Sequence, residues 1–448
     1  MRRLVLVPLL VLAAGSRVAA DPLTADQAVK LALQHNSQIV QSNASVLDAR
    51  SGMWSAYSGV LPHVSAGGTR TGSLTRESSG TQVFGSFSIP SSSFNNEAYS
   101  SSYDISGNWS LVNLSAWTSL SSARKGMQAA RFSQRATRAD VALATKRQFY
   151  EVVKALHLAR VSTQSLRLSR DDERRVRALF EVGSVSKSDL LKARVRTSQS
   201  ELDSLLATHN VTVQRILLSE QLGLPETELG DVDSTLVPTT PTAPDPAALL
   251  VEARASRPDI RATELEMRAA ELDLRAAHWS RLPSLSAGGS YTPDSRRTSK
   301  LYTDFAPHDT ASTSAFESKR SFSGQVSIDM NIFDGFLTDS RVASARSRLL
   351  RARETRDALV RNLESEVHQA TLGYQEAWER DALARRTLES ASENLNLVQQ
   401  KYNVGSATIL DLIDAQLQLQ RSASELVSAL ADIKVAEAAV DRVRGKGE

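Results

Sequence analysis

The sequence predicts a mixed α and β protein made of two tandem copies of one unit, each a pair of strands followed by a long helical hairpin. Three observations carry this. First, Phe180-Glu181-Val182-Gly183-Ser184-Val185-Ser186-Lys187-Ser188-Asp189-Leu190 returns as Tyr402-Asn403-Val404-Gly405-Ser406-Ala407-Thr408-Ile409-Leu410-Asp411-Leu412, 222 positions later in a chain of 448 residues. Second, the sequence before each copy, from Trp117 to Phe180 and from Leu337 to Tyr402, has no proline and almost no glycine. Third, earlier in each half the apolar period changes from helical to alternating.

Met1 to Ala20 has the plan of a secretory signal peptide: Arg2 and Arg3, an apolar run from Leu4 to Ala14, then Val18-Ala19-Ala20 at a cleavage site. The expected mature chain starts at Asp21. The leader holds Arg2, Arg3 and Arg17 and no acid, so the net charge of +3 belongs to it and the rest is balanced. No nucleic-acid partner is expected from such a balance. Cysteine is absent, which excludes disulfides, thiolate metal sites, thiol nucleophiles and a lipidated N-terminal cysteine. An exported chain without disulfides fits a Gram-negative envelope. Past the leader no apolar run reaches the ~20 residues of a membrane-spanning helix, so any bilayer crossing would use strands.

The first repeat is expected at 21–222. Pro22 to Ser58 reads as one helix capped by Thr24, with Ala28, Leu31, Ala32, Ile39 and Val46 at helical spacing. Strands follow at about 62–76 and 98–113. The first opens on Leu61-Pro62, proline being tolerated at the start of a strand. In the second, Tyr103, Ile105, Gly107, Trp109 and Leu111 alternate with Asp104, Ser106, Asn108 and Ser110. The Ser-, Thr- and Asn-rich stretch from Thr75 to Ala98 reads as a loop. A helix of about 65 residues, close to 100 Å at ~1.5 Å per residue, then runs to a bend at 182–186. Gly183 suits the left-handed residue that ends a helix, Ser186 the cap of the next, and Asp189 its third position. After the bend, Leu191, Leu202 and Val213 recur every 11 residues, as do Val195, Leu206 and Leu217.

A linker is expected at 223–245, where Pro225, Pro238, Pro241 and Pro244 break all periodicity. The second repeat, 246–448, follows the same plan. Asp245 to Trp279 is its first helix, with Arg257-Pro258-Asp259-Ile260 aligned to Asn36-Ser37-Gln38-Ile39. Strands are expected at about 283–297 and 320–333, with a loop from Thr298 to Lys319 between them. Phe322, Gly324, Val326, Ile328, Met330 and Ile332 alternate with polar residues. A bend at 404–408 repeats the Gly, cap and acid as Gly405, Thr408 and Asp411. The last helix follows a heptad through Leu419, Leu426, Ile433 and Val440. Periods of 11 and 7 favour opposite supercoil hands.

No catalytic pattern is present, and no cofactor is expected. The seven histidines, at 35, 63, 157, 209, 278, 308 and 368, lack metal-ligand spacing. Asp304, His308 and Asp309 form a loose cluster that reads as a wet surface. Gly67-Gly68-Thr69 lacks the lysine of a phosphate loop, and the Ser-rich stretches carry no nucleophile elbow.

Alternation alone fits either an outer-membrane barrel strand or a soluble sheet with one wet face. In a membrane, four strands cannot close a barrel, since the smallest have about eight, and an open edge cannot face lipid. Two chains would supply eight strands and three would supply twelve.

The duplication, the strand pairs entered through Leu-Pro, the Ile332-Phe333-Asp334-Gly335 ending of the last strand and the Val-Gly-Ser bends followed by Asp-Leu together resemble the TolC-like outer-membrane efflux family over the whole mature chain. The resemblance implies a homotrimer with a twelve-stranded β-barrel in the outer membrane of a Gram-negative cell, four strands per chain. A long α-helical barrel would continue it through the periplasm and narrow at its tip. It implies an exit duct of a tripartite efflux or type I secretion system, with a periplasmic adaptor, an inner-membrane transporter and outer-membrane lipid as partners. Asp411 and Asp414 match acids that ring the pore constriction, although Asp411 also suits a capping box. Ser188, Asp189 and Tyr402 match links that hold the tip closed; an arginine of that pattern is replaced by Ala407, leaving Lys187 or Lys192 as alternative restraints. Val182, Gly183, Ser184, Val404, Gly405 and Ser406 match adaptor-contact tips. The alternative reading from another class is a trimeric envelope tether or adhesin with a coiled-coil stalk.

Overall fold

The computed structural model describes residues 22–77, 81–90, 93–237, 244–303 and 310–445. The leader and the Asp304, His308 and Asp309 cluster lie outside the described residues. In the first half, α1 (Ala25–His35) and α2 (Ser37–Ser58) lead to β1 (His63–Glu77), the short β2 (Thr81–Phe84) and β3 (Phe87–Pro90), then β4 (Ser93–Val112), α3 (Leu114–Glu181) and α4 (Lys187–Leu222). In the second, α5 (Pro246–Ser256) and α6 (Pro258–Trp279) lead to β5 (Ser284–Thr303), β6 (Thr310–Asp329), α7 (Leu337–Asn403) and α8 (Ile409–Val443). Two compact units form: one from the residues up to Ser45, Arg131–Ala262 and Asp357 onward, the other from Val46–Ala130 and Thr263–Arg356.

The second unit carries an antiparallel four-stranded sheet in the order β1-β4-β5-β6. Its central ladder, β4 with β5, joins the two repeats, and β1 and β6 are left as edges. Alternation gives the sheet two unlike faces. Val64, Tyr103, Ile105, Trp109, Tyr291, Phe322, Val326 and Ile328 stand exposed on one, Phe322 at 83%. On the other, hydroxyls meet across the ladders, Ser65 with Ser106, Ser286 with Ser327 and Ser290 with Ser323, each pair at 2.8 Å.

The strands run further than the sequence reading allows. β4 begins at Ser93, β5 continues to Thr303 and β6 begins at Thr310, so most of the two expected loops is ladder. Ser, Thr and Asn resemble loop composition, but Thr is β-branched and suits a pleated surface, and the cross-strand partners stay in register. At its other end β6 stops at Asp329, short of the expected 333. The Ile332-Phe333-Asp334-Gly335 segment is a turn into α7. Gly335 and Phe336 take φ of 65° and 68°, and the Asp334 carboxylate accepts bonds from the Thr338 amide at 2.9 Å and hydroxyl at 2.5 Å.

In the first unit each expected lead helix is broken in two. Asn36, extended at ψ 135°, ends α1. Its Oδ1 accepts the Gln38 amide at 2.8 Å, opening α2, while its Nδ2 donates to the Gln221 carbonyl at 2.7 Å. The equivalent Arg257 precedes Pro258, whose ring disfavours helical backbone in the residue before it, and sits at ψ 124°. Each break closes over an apolar cluster: Ala28, Ala32, Ile39, Phe149, Val152 and Leu218 in the first half, Leu249, Ala253, Ile260, Leu363, Val367 and Val440 in the second. The linker does not simply pass over the surface. Leu229 and Val232 are buried in the first cluster, and Leu23 bridges to Val232 with backbone bonds to Asp231 and Asp233.

Candidate functional site

The two bends and the four helix ends around them form one small core in the first unit. Val176 of α3, Leu190 and Ala193 of α4, and Ile409 and Leu412 of α8 are buried together, with Leu395, Val398 and Tyr402 of α7 packed against them. Both bends have the same backbone. Gly183 at φ 77° and Gly405 at φ 79° occupy the left-handed region, and the following amides return to the preceding helix, Ser184 to the Leu179 carbonyl at 2.8 Å and Ser406 to Lys401 at 2.9 Å. This is the six-to-one closure of a Schellman motif. It leaves Val182 and Val404, 74% and 79% exposed, at the turn apices.

The caps differ in detail. Ser186 accepts the Asp189 amide at 3.1 Å and donates to its carboxylate at 2.7 Å. Thr408 and Asp411 close a full capping box, the Thr408 amide reaching the Asp411 carboxylate at 2.8 Å. The Thr408 hydroxyl, bonded to that carboxylate, holds Asp411 below the usual carboxylate range. Asp189 is lowered in the same way by Ser186, helped by Lys192 at 3.4 Å. Asp414, one turn beyond Asp411 on the same helix face, is exposed and has no hydrogen bond or ion pair among the described residues.

Ser188, Asp189 and Tyr402 are not joined by hydrogen bonds within the chain. Ser188 is exposed, and the Tyr402 hydroxyl is shielded without a partner. Burial, then the Asp189 and Asp172 carboxylates, push that hydroxyl above its ordinary range. Lys187 and Ala407 make no side-chain hydrogen bond or ion pair among the described residues.

Beyond the apolar tip core lies a polar layer that the sequence reading missed. Arg196 of α4 is 7% exposed and donates to Ser165 Oγ of α3 at 3.1 Å and Gln420 Oε1 of α8 at 2.9 Å. Ser165 also donates to Gln420 at 2.8 Å, Ser169 meets Ser200 at 2.9 Å, and Gln416 donates to Asp172. Gln416 and Gln420, one turn apart at buried or half-buried positions of α8, were the legible sign. Among the described residues no cluster of His, Asp or Glu could hold a metal ion, and no helix is long and apolar enough to cross a membrane.

The family model described as outer membrane efflux protein matches residues 28–224 and 249–446, one segment per repeat. The outer membrane protein TolC of Vibrio cholerae is 23% identical over 329 residues, 72% of this chain and 71% of that protein. Among solved structures, the CmeC outer membrane channel of Campylobacter jejuni superposes with a TM-score of 0.75 at 15% identity, covering 94% of this chain and 86% of that one. The outer membrane protein VceC of Vibrio cholerae gives 0.73 at 14% identity, covering 94% and 96%.

Proposed function

The chain belongs to the outer membrane efflux protein family, and from that premise we propose that three copies close one twelve-stranded barrel and form the passive exit duct for an inner-membrane transporter and a periplasmic adaptor. It is an outer-membrane efflux channel of a Gram-negative cell, extending into the periplasm, and not an enzyme. The observation that carries the shared barrel is the sheet: β1 and β6 end it unpaired, and one face is apolar from the strand ends that lead to the helices up to the row of Phe322. In hydrocarbon each unpaired backbone group costs several kcal/mol (roughly 2–7). Pairing β6 of one copy with β1 of the next removes both edges.

On this reading Met1 to Ala20 is the export leader, and 21–222 and 246–448 are the two repeats around a linker at 223–245. The apices Val182-Gly183-Ser184 and Val404-Gly405-Ser406 receive the adaptor, supported by exposed valines that nothing among the described residues covers. Asp414 is the stronger candidate for a ring at the constriction, because the Asp411 carboxylate is committed to its own cap. Asp189, Ser188 and Tyr402 would make their closing links between copies, where the unpartnered Tyr402 hydroxyl could find an acceptor.

The mass of the detergent-solubilised particle tests the trimer: three chains are expected, and a detergent-free monomer would end the proposal. Single-channel recording tests the ring. Asp414→Ala should weaken block by divalent cations by about tenfold, and unchanged block would remove Asp414 from the constriction.

A further inference from the structure

Register sorts the charges of the sheet by face. On the hydroxyl face signs are mixed and meet across the ladder, Asp294 opposite Lys319 and Arg296 opposite Glu317. On the apolar face the described side chains include three arginines, Arg70 of β1, Arg297 of β5 and Arg320 of β6, against one acid, Glu97. All three arginines are exposed and have no hydrogen bond or ion pair among the described residues.

Their height along the strands is equally ordered. Ala66, Ile105, Tyr291 and Phe322 lie in one row across the sheet. Arg320 stands one row beyond it, two residues further from the strand ends that lead to the helices. Arg70 stands in the next row, with Ser101, Ser295 and Ser318, and Arg297 in the one after, beside Tyr99 and Phe316. Towards the helices the same face is apolar through Val326 and Ile328. Within β6 the apolar stretch from Phe322 to Ile328, six residues at ~3.4 Å tilted by roughly 40°, covers about 16 Å, and the exposed Met330, Ile332 and Phe333 between the strand and α7 extend it towards the helices. The arginines therefore begin where the hydrocarbon ends, on the side away from the helices, which is the cell exterior.

We propose that Arg70, Arg297 and Arg320 bind the phosphorylated headgroups of net-anionic lipids in the outer leaflet. The assignment rests on the membrane barrel read above. Guanidinium presents paired donors that match phosphate oxygens. The three are spread over several rows and three of the four strands, which suits a row of headgroups around the wall better than one small anion. Tyr99 and Tyr103 between them offer amphipathic rings at headgroup depth.

The test uses the full chain purified as its assembled particle, titrated in detergent with phosphatidylglycerol and, in parallel, with phosphatidylcholine, reading bound lipid by native mass spectrometry. The triple variant Arg70→Gln, Arg297→Gln, Arg320→Gln should bind phosphatidylglycerol at least about tenfold more weakly, with phosphatidylcholine binding unchanged. Arg296→Gln, on the hydroxyl face, should match the parent. Inorganic phosphate should not displace the bound lipid. Undiminished binding by the triple variant, equal loss in Arg296→Gln, or displacement by inorganic phosphate would each overturn the proposal. Particle mass is read in the same spectrum, so a failure of the trimer is seen separately from a failure of lipid binding. If the Gln variant does not assemble, the triple Arg→Glu variant reconstituted from urea gives the same reading, with loss expected and retention overturning.

Discussion

Two buried arginines in the same helical unit are held in opposite ways. Arg257, 1% exposed, ends α5 with its guanidinium between Asp259, at 2.5 and 3.0 Å, and Glu366 of α7. Asp259 reaches on to Arg442 at 3.8 Å, and Arg442 to Asp140 of α3 at 2.6 Å. Burial alone would lower the Arg257 pKa, but the two carboxylates hold it raised. Among the described residues Arg196 has no carboxylate partner. Its acceptors are the neutral Ser165 and Gln420, its Nε is unbonded, and burial lowers its pKa with only Asp203 opposing. The first arginine fastens three helices around the break before Pro258. The second sits in a layer where its own acceptors are neutral side chains, between the apolar tip core and the apolar clusters at the helix breaks. The buried cation is thus held by carboxylates at the breaks and by neutral acceptors behind the bends.

The contrast is most directly broken by Arg257→Ala, which leaves two carboxylates facing each other without their cation. A loss of about 3–5 kcal/mol is expected, seen as an earlier loss of helical circular dichroism on denaturant titration of the particle. A smaller effect comes from acid. Burial works against ionised Asp259, but Arg257 and then Arg442 bring its pKa below the ordinary value. Its contribution is therefore complete above about pH 3.9 and lost as pH falls through the lower folded value. Asp259→Asn should flatten that part of the melting-temperature profile. Burial raises Asp172 instead, so its contribution has the opposite sign: folding is relieved as pH falls through its folded value. The smallest effect is expected for Arg196→Met. Ser165 and Gln420 keep each other at 2.8 Å, an unpaired buried cation is removed, and stability should change by less than about 1.5 kcal/mol in either direction. A loss as large as that of Arg257→Ala would erase the distinction between the two sites.

Much of this architecture was legible in local chemistry. Gly183, Gly405, Ser186 and Thr408 specify their bends because backbone geometry and capping act within a few residues. The proline at 258 disfavours helix in the residue before it, a sign that the one-helix reading of 245–279 passed over; Asn36 caps α2 locally through Gln38, but without a proline the helical spacing of its neighbours masked the break. Strand lengths were underread where Ser and Thr composition masked a continuing register. The polar layer around Arg196 was invisible as a unit. Its members sit on α3, α4 and α8, and only packing brings Ser165 to Gln420 across 255 positions. The candidate constriction acids were legible as types, but which of them is free of capping duty emerged from the Thr408 contacts.

The central ladder of the sheet has one more consequence. Since β4 and β5 come from opposite repeats and bond along most of their lengths, the covalent joint at 223–245 is not what holds the halves together. A protease nick there should release no fragment until the strands themselves are pulled apart. A gene divided at that joint would yield two polypeptides able to zip into the same wall.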